Sequence, residues 1–373
     1  MSRLQNGKNK LIVFCLCIVL MFFTGCTQNN GVAESNSDRE MITITDCVGR
    51  EVEIPKKVER VASIFATSGH IATILGKGDS IVAISNGLTR DLLLHEVCPH
   101  IKDALVAKGG GHFNIEELIK ANPDVVFFST DVIKDHATEK KINQLGIPYL
   151  IVEYKNIEEQ KYAVEMIGKV LGEESKAQSY NKYYDDIVAM VGERTKDIGD
   201  KERVRVYHAI NEVARTDSPN TLPADWTKVA GAKNVSIEED HAEGLEDSFK
   251  LVNTKFFVSF EQICLWNPDV IIANGNGIDL YLQSKDQFKE VNAVLNDKVY
   301  LLPNGVSRWG HPYSIETPLA ILWTAKTLYP DKFQDIDMVK ETKRFYKEFF
   351  NYDLGNEKAE QILSGKGMRI PKG

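Results

Sequence analysis

Five consecutive residues, Ser307-Arg308-Trp309-Gly310-His311, put a fixed cation, an aromatic face and an imidazole side by side. Arg308 is suited to paired hydrogen bonds with a carboxylate or an oxyanion. Trp309 offers a flat surface on which a planar chelate or macrocycle stacks, and His311 an imidazole that titrates near neutrality. The structural alternative is that Trp309 packs under Pro312 while Arg308 pairs with an acid such as Glu316. A second group is Gly109-Gly110-Gly111-His112, where glycines let backbone approach a ligand before an imidazole is presented. Its alternative is a turn with a surface histidine. Tyr207 and Arg215 flank a third loop, with Tyr207 equally suited to a core position. Asn274-Gly275-Asn276-Gly277 lacks the Gly-Lys-Ser ending of a phosphate loop. No Gly-x-Ser-x-Gly elbow, Walker sequence or His-Glu-x-x-His helix occurs, so the chain is read as a binder and not an enzyme. Of the eight histidines, His70, His112, His241 and His311 fall in candidate loops, but without a metal-ligand pattern. A bare protein-ligated ion is therefore not expected.

These residues need elements to hold them. From Val58 the pattern alternates: strands at 60–64, 80–84, 125–128 and 148–152, helices at 69–75, 115–121 and 139–145. Alternation of this kind specifies a parallel sheet with helical crossovers. Residues 157–198 contain no proline and carry apolar residues at helical spacing, broken at Gly172. The second helix is long enough to bridge two lobes. Alternation resumes at Arg203 and runs to Tyr329. Residues 113–128 and 258–273 also echo each other: a capping Asn114 or Ser259, Glu116 or Glu261 two residues on, an apolar helix, Asn-Pro-Asp, then an apolar strand. Two copies about 145 residues apart predict two similarly built lobes. The fold class is thus α/β, two lobes of mostly parallel sheet with flanking helices, joined by one long α-helix. In such sheets ligands bind at the carboxyl ends of strands, which is where Arg308, Trp309, His311, His112, Tyr207 and Arg215 are expected to meet one.

The amino terminus reads separately. Arg3, Lys8 and Lys10 precede an apolar run of 13 residues, Leu11 to Phe23, too short to span a bilayer and fitting a secretory signal. Phe23-Thr24-Gly25-Cys26 resembles the bacterial lipobox, with Phe23 where leucine is usual. This implies cleavage before Cys26 and lipid, with palmitate among its acyl chains, on that residue, an anchor that does not span the membrane. Residues 27–40 are polar and predicted to be disordered. Without residues 1–25 the net charge of −8 becomes −11, which argues against a nucleic-acid partner. Cys47, Cys98 and Cys264 remain, an odd number at no metal-like spacing.

The fragments ITDCVGREVEIPKKVERVASI, LGKGDSIVAIS, FNIEELIKANPDVVFFS, TLPADWTKVAGAKNV and SFEQICLWNPDVIIANG occur in an informative order. The chain resembles the substrate-binding proteins of ABC importers for ferric siderophores, cobalamin and haem, over roughly residues 41–335. The closing SRWGHPYSIETPLAILWTAKTLYPDKF is similar to a branch that includes molybdate- and tungstate-type members. The resemblance implies a signal peptide (1–25), a tether (26–40), an N-terminal lobe (41–156), linker helices (157–200), a C-terminal lobe (201–350) and a tail (351–373). It implies a monomer anchored by Cys26 to the extracytoplasmic face of the cell membrane. Such a protein captures a metal chelate (ferric siderophore, haem or cobalamin) and delivers it to a permease dimer with its ATPase subunits. No cofactor is implied. Molybdate or tungstate is the alternative ligand, and a chelatase-like surface enzyme on the same plan is the alternative of a different class. In this family one glutamate on each lobe's rim pairs with a permease arginine, a role that falls here to Glu116 and Glu261. On the residues alone, each stabilises a helix N-terminus.

Overall fold

The computed structural model describes residues 40–370 other than 111, 240–249, 253–254 and 276. The expected lipid-anchor residue Cys26, together with His241, lies outside the described residues. Among the described residues the strands are β1 (Met41–Thr45), β2 (Glu51–Pro55), β3 (Val61–Ser63), β4 (Ile81–Ser85), β5 (Leu105–Gly109), β6 (His112–Phe113), β7 (Val125–Phe128), β8 (Tyr149–Ile151), β9 (Arg205–Ile210), β10 (Arg215–Thr216), β11 (Lys233–Asn234), β12 (Lys250–Val252), β13 (Lys255–Phe257), β14 (Val270–Asn274) and β15 (Val299–Leu301). β1 and β2 form the entry hairpin. In the first lobe the spatial order is β6-β5-β4-β3-β7-β8, parallel except for the β5–β6 pair. In the second the order is β11-β9-β14-β15, all parallel. A small antiparallel sheet, β10-β13-β12, stands beside it. In each lobe the chain first moves outward from one strand (β3, β9) and then returns to its other side (β7, β14). Loops diverge at these switch points, and the crevice they leave is where open α/β sheets bind ligands.

The sequence echo is a structural repeat. Helices Ile115–Ala121 and Phe260–Trp266 are each seven residues long. Asn114 accepts from the Glu117 amide at 3.2 Å and Ser259 from the Gln262 amide at 3.1 Å. Both helices end on a left-handed asparagine, Asn122 (φ 44°) and Asn267 (φ 44°), because the following proline forbids another turn. The structure adds a part that the echo did not show. Arg60, just ahead of β3, donates to the carbonyls of Ala121 (2.6 Å) and Asn122 (2.9 Å). Arg205, opening β9, donates to those of Trp266 and Asn267. Each guanidinium thus sits at the negative end of its lobe's helix and joins it to the central strand.

Helix Ile157–Leu171 ends at Gly172 (φ 68°), and helix Glu174–Thr195 follows. Its 22 residues span about 33 Å. It begins against the first lobe, where Lys176 donates to the Leu75 carbonyl at 3.0 Å. It ends against the second, where Arg194 donates to the Lys332 carbonyl at 3.0 Å. Along its length Tyr180 and Tyr183 meet Phe349 of helix Met338–Phe350 edge-on. Residues 303–316 cross back towards the first lobe: Tyr313 donates to Glu153 at 3.0 Å, and Thr67 donates to the Tyr313 carbonyl at 3.1 Å. Residues 351–370, read above as a tail, are packed. They form helix Asn356–Leu363 and then run beside residues 90–92 of the first lobe. Among the described residues no helix is long and apolar enough to cross a membrane.

Candidate functional site

Helix Ala66–Ile74 starts directly after β3 and brings Thr67 and His70 to the crevice. The loop after β4 brings Asp91. From the crossing segment come Ser307, Arg308, His311 and Tyr313, and from the C-terminal stretch comes Arg369. Together these residues line a cavity of about 160 Å³ at the carboxyl ends of the strands.

A buried acid holds the crossing loop. Glu316, fully buried, accepts from the Ser307 amide at 2.6 Å, the Ser307 hydroxyl at 3.0 Å and the Tyr346 hydroxyl at 2.6 Å. Burial pushes its carboxyl up from the ordinary range, while these donors oppose the shift. Gly305 makes this fit possible, since a Cβ there would stand 2.2 Å from Glu316 Oε1.

With Glu316 occupied in this way, Arg308 is left without an acid. Its guanidinium donates to the Asn211 side chain and makes no ion pair with a described residue. Burial, then Arg215, then Arg90 lower its pKa to about 10. Arg369 is lowered likewise to about 10, by burial and then Arg90. Arg215 is lowered by burial, against Glu212 and Asp217. Arg308 and Arg369 line the cavity, Arg215 and Arg90 act on them electrostatically, and Asp91 is the single acid among the described residues that line it. Asp91 itself is engaged by Arg369 and, at 3.1 Å, by His70 Nε2. Desolvated cations without counter-charge are costly, and Arg308 has none among the described residues.

The structure corrects two of the residues expected at the ligand. Tyr207 is fully buried in β9 and donates to the Val213 carbonyl at 2.6 Å, because strand alternation points it into the second lobe's core. Trp309 is also fully buried, and its carbonyl accepts from Asn274 Nδ2 at 2.9 Å. It packs where Arg308 and His311 face the crevice. His112 is exposed on β6 and shares a groove with Glu116 and Lys141, apart from the cavity. Arg215, on β10, does not line the cavity, though its charge acts on Arg308. Glu116 and Glu261 are both exposed in the first turns of the repeated helices. Asp91 and Arg369 were not foreseen. Their pairing joins residues 278 positions apart, a contact that no sequence pattern signals.

Burial biases both cavity histidines towards the neutral form. Burial, then Arg369, push His70 down to about 3, and burial followed by Arg308 pushes His311 well below the usual imidazole range. Unfolded histidine titrates near about 6.5. Below that pH the unfolded chain binds more protons than the folded one, so stability falls as pH drops from about 6.5 towards about 3. The expected loss from His70 between about pH 6.5 and 4.5 is on the order of 2 kcal/mol. Urea midpoints at the two pH values measure it. A His70→Gln variant with the same acid sensitivity as the wild type would refute the assignment.

Among the described residues no group of three or more His, Cys, Asp or Glu side chains converges to hold a metal ion. Residues 61–306 match the family described as periplasmic binding protein. The chain belongs to this family. The matched span opens at β3 and closes in the crossing loop just before Ser307, so it includes both switch points. The molybdate-binding protein MolA of Haemophilus influenzae is 26% identical over 331 residues, covering 82% of this chain and 90% of MolA. An uncharacterised ABC transporter substrate-binding lipoprotein of Bacillus subtilis, YvrC, is 25% identical over 329 residues, 86% of this chain and 97% of that protein. The crystal structure of MolA bound to molybdate superposes with a TM-score of 0.73 at 24% identity, over 84% of this chain and 99% of that one. It shares the fold of this periplasmic binding protein.

Proposed function

We propose that this periplasmic binding protein is the extracytoplasmic receptor of an ABC importer and that its cargo is a small oxyanion of the molybdate or tungstate type. The observation that carries the reading is Arg308, a half-buried guanidinium that pairs with no acid among the described residues and lines the same cavity as Arg369. Cavity size favours the oxyanion over the organic metal chelate preferred from sequence. Pockets for drug-sized ligands run from roughly 300 to 1,000 Å³, whereas this one is about 160 Å³. The names of MolA and YvrC support the same class of transport. Delivery would use Glu116 and Glu261, with Cys26 carrying the lipid anchor. The reading leaves the protein without catalytic work.

The test is native mass spectrometry of the full chain with molybdate, tungstate, sulfate, a ferric tris-catecholate, haem and cobalamin. Thermal shift is the second readout, since a ligand bound only by the folded state raises stability. A one-to-one oxyanion adduct is expected. Binding of haem, cobalamin or the ferric chelate with no oxyanion adduct would replace this reading with the chelate one.

A further inference from the structure

The segment Ser364–Ile370 starts against the second lobe and finishes in the first. At its start the Asn304 amide donates to the Ile362 carbonyl at 3.0 Å, and Gly365 lies so close to β15 that a Cβ would stand 2.7 Å from the Leu302 carbonyl oxygen. Gly365 and Gly367 both take positive φ, 73° and 80°, which turns the chain sharply there. At its end the strap is zipped to the first lobe. The Leu92 amide donates to the Met368 carbonyl (3.1 Å), the Ile370 amide to the Arg90 carbonyl (2.9 Å), and Met368 is buried in the core. Two of the four guanidiniums depend on this strap. Arg90 Nε donates to the Ile370 carbonyl at 2.9 Å, and Arg369 belongs to the strap itself.

We propose that Arg369 is a ligand-contacting, specificity-determining residue and that the strap, by holding Arg369 and Arg90, forms the wall of the site that recognises the charge of the anion. This rests on the oxyanion reading above. Arg369 lines the cavity, and its contacts with Asp91 and the Gly87 carbonyl (3.3 Å) leave further N–H donors of the guanidinium for a ligand. Asp91, itself at the cavity wall, holds Arg369 in place and is engaged by His70 at 3.1 Å. With Arg369 held on the first-lobe side and Arg308 coming from the crossing segment, a bound anion meets a guanidinium from each, so that charge rather than shape alone closes the site. A divalent oxyanion is favoured over a monovalent one of the same size.

The experiment is calorimetric titration of molybdate and perchlorate into the full chain and its R369Q, R369K and G365A variants, at low and high ionic strength, with a melting temperature for each. R369Q is expected to weaken molybdate binding tenfold or more, and R369K less. The loss should shrink as salt rises, which a purely structural defect would not produce. G365A, which touches no ligand contact, should weaken binding by displacing the strap, and it keeps the test open if R369Q folds poorly. Wild-type binding of molybdate with R369Q and G365A both unchanged overturns the strap proposal alone. Equal binding of perchlorate and molybdate by the wild type overturns its claim on charge. Wild-type protein that binds no oxyanion overturns the reading on which the strap rests.

Discussion

Replacing Arg308 with glutamine is expected to weaken anion binding by about 2–5 kcal/mol, thirtyfold or more in Kd. Arg308 donates to Asn211 and, among the described residues, pairs with no carboxylate, so its charge is available to a ligand. The same isolation predicts the effect on the free protein. Removing a desolvated cation that stands beside Arg215 and Arg90 relieves repulsion, so R308Q should melt no lower than the wild type. Loss of affinity with stability kept or raised is the signature of a residue retained for binding. Lysine at this position keeps the charge but loses the planar fork, and an intermediate affinity is expected. Calorimetry on the two variants, with urea midpoints from the same preparations, measures both halves. Unchanged affinity in R308Q would remove the observation on which the oxyanion reading stands.

The second large effect lies on the two repeated helices, which do not line the cavity. Reversing Glu116 and Glu261 together to arginine is expected to abolish uptake through the partner permease while leaving ligand affinity in the purified protein unchanged. Both carboxylates are exposed, neither lines the cavity, and they occupy the same position in the repeated helix of each lobe. Loss of their interaction with the helix N-termini costs about 0.3–1 kcal/mol each, too little to unfold the chain. Uptake by cells carrying the variant, read beside calorimetry on the protein, separates the two roles. Normal uptake would leave the glutamates as helix-stabilising residues alone.

The parts of the fold that were legible in sequence are those fixed by local rules. Ile115–Ala121 and Val125–Phe128 fall where the capping Asn114, the Asn-Pro stop and the uniform apolar run put them. The β5–β6 hairpin was missed because Leu105–Gly109 is a half-exposed strand with a lysine in it, so its pattern is weak. At the site, Arg308 and His311 were legible as types but Trp309 was misdirected. Neighbours in a loop face different ways, and only the packing against the second lobe decides which one enters the core. Tyr207 failed for the related reason that strand alternation has two phases and sequence does not choose between them. Asp91 and Arg369 belong to a contact no local rule encodes.

The helix Glu174–Thr195 touches both lobes along about 33 Å and contains no break. A receptor built on such a beam changes shape little when it fills. In the docking role proposed for Glu116 and Glu261, its empty and loaded forms would present nearly the same rims to a permease and compete for it. Transport in such a system should pass through a maximum as the receptor becomes more abundant, and decline when receptor outnumbers cargo.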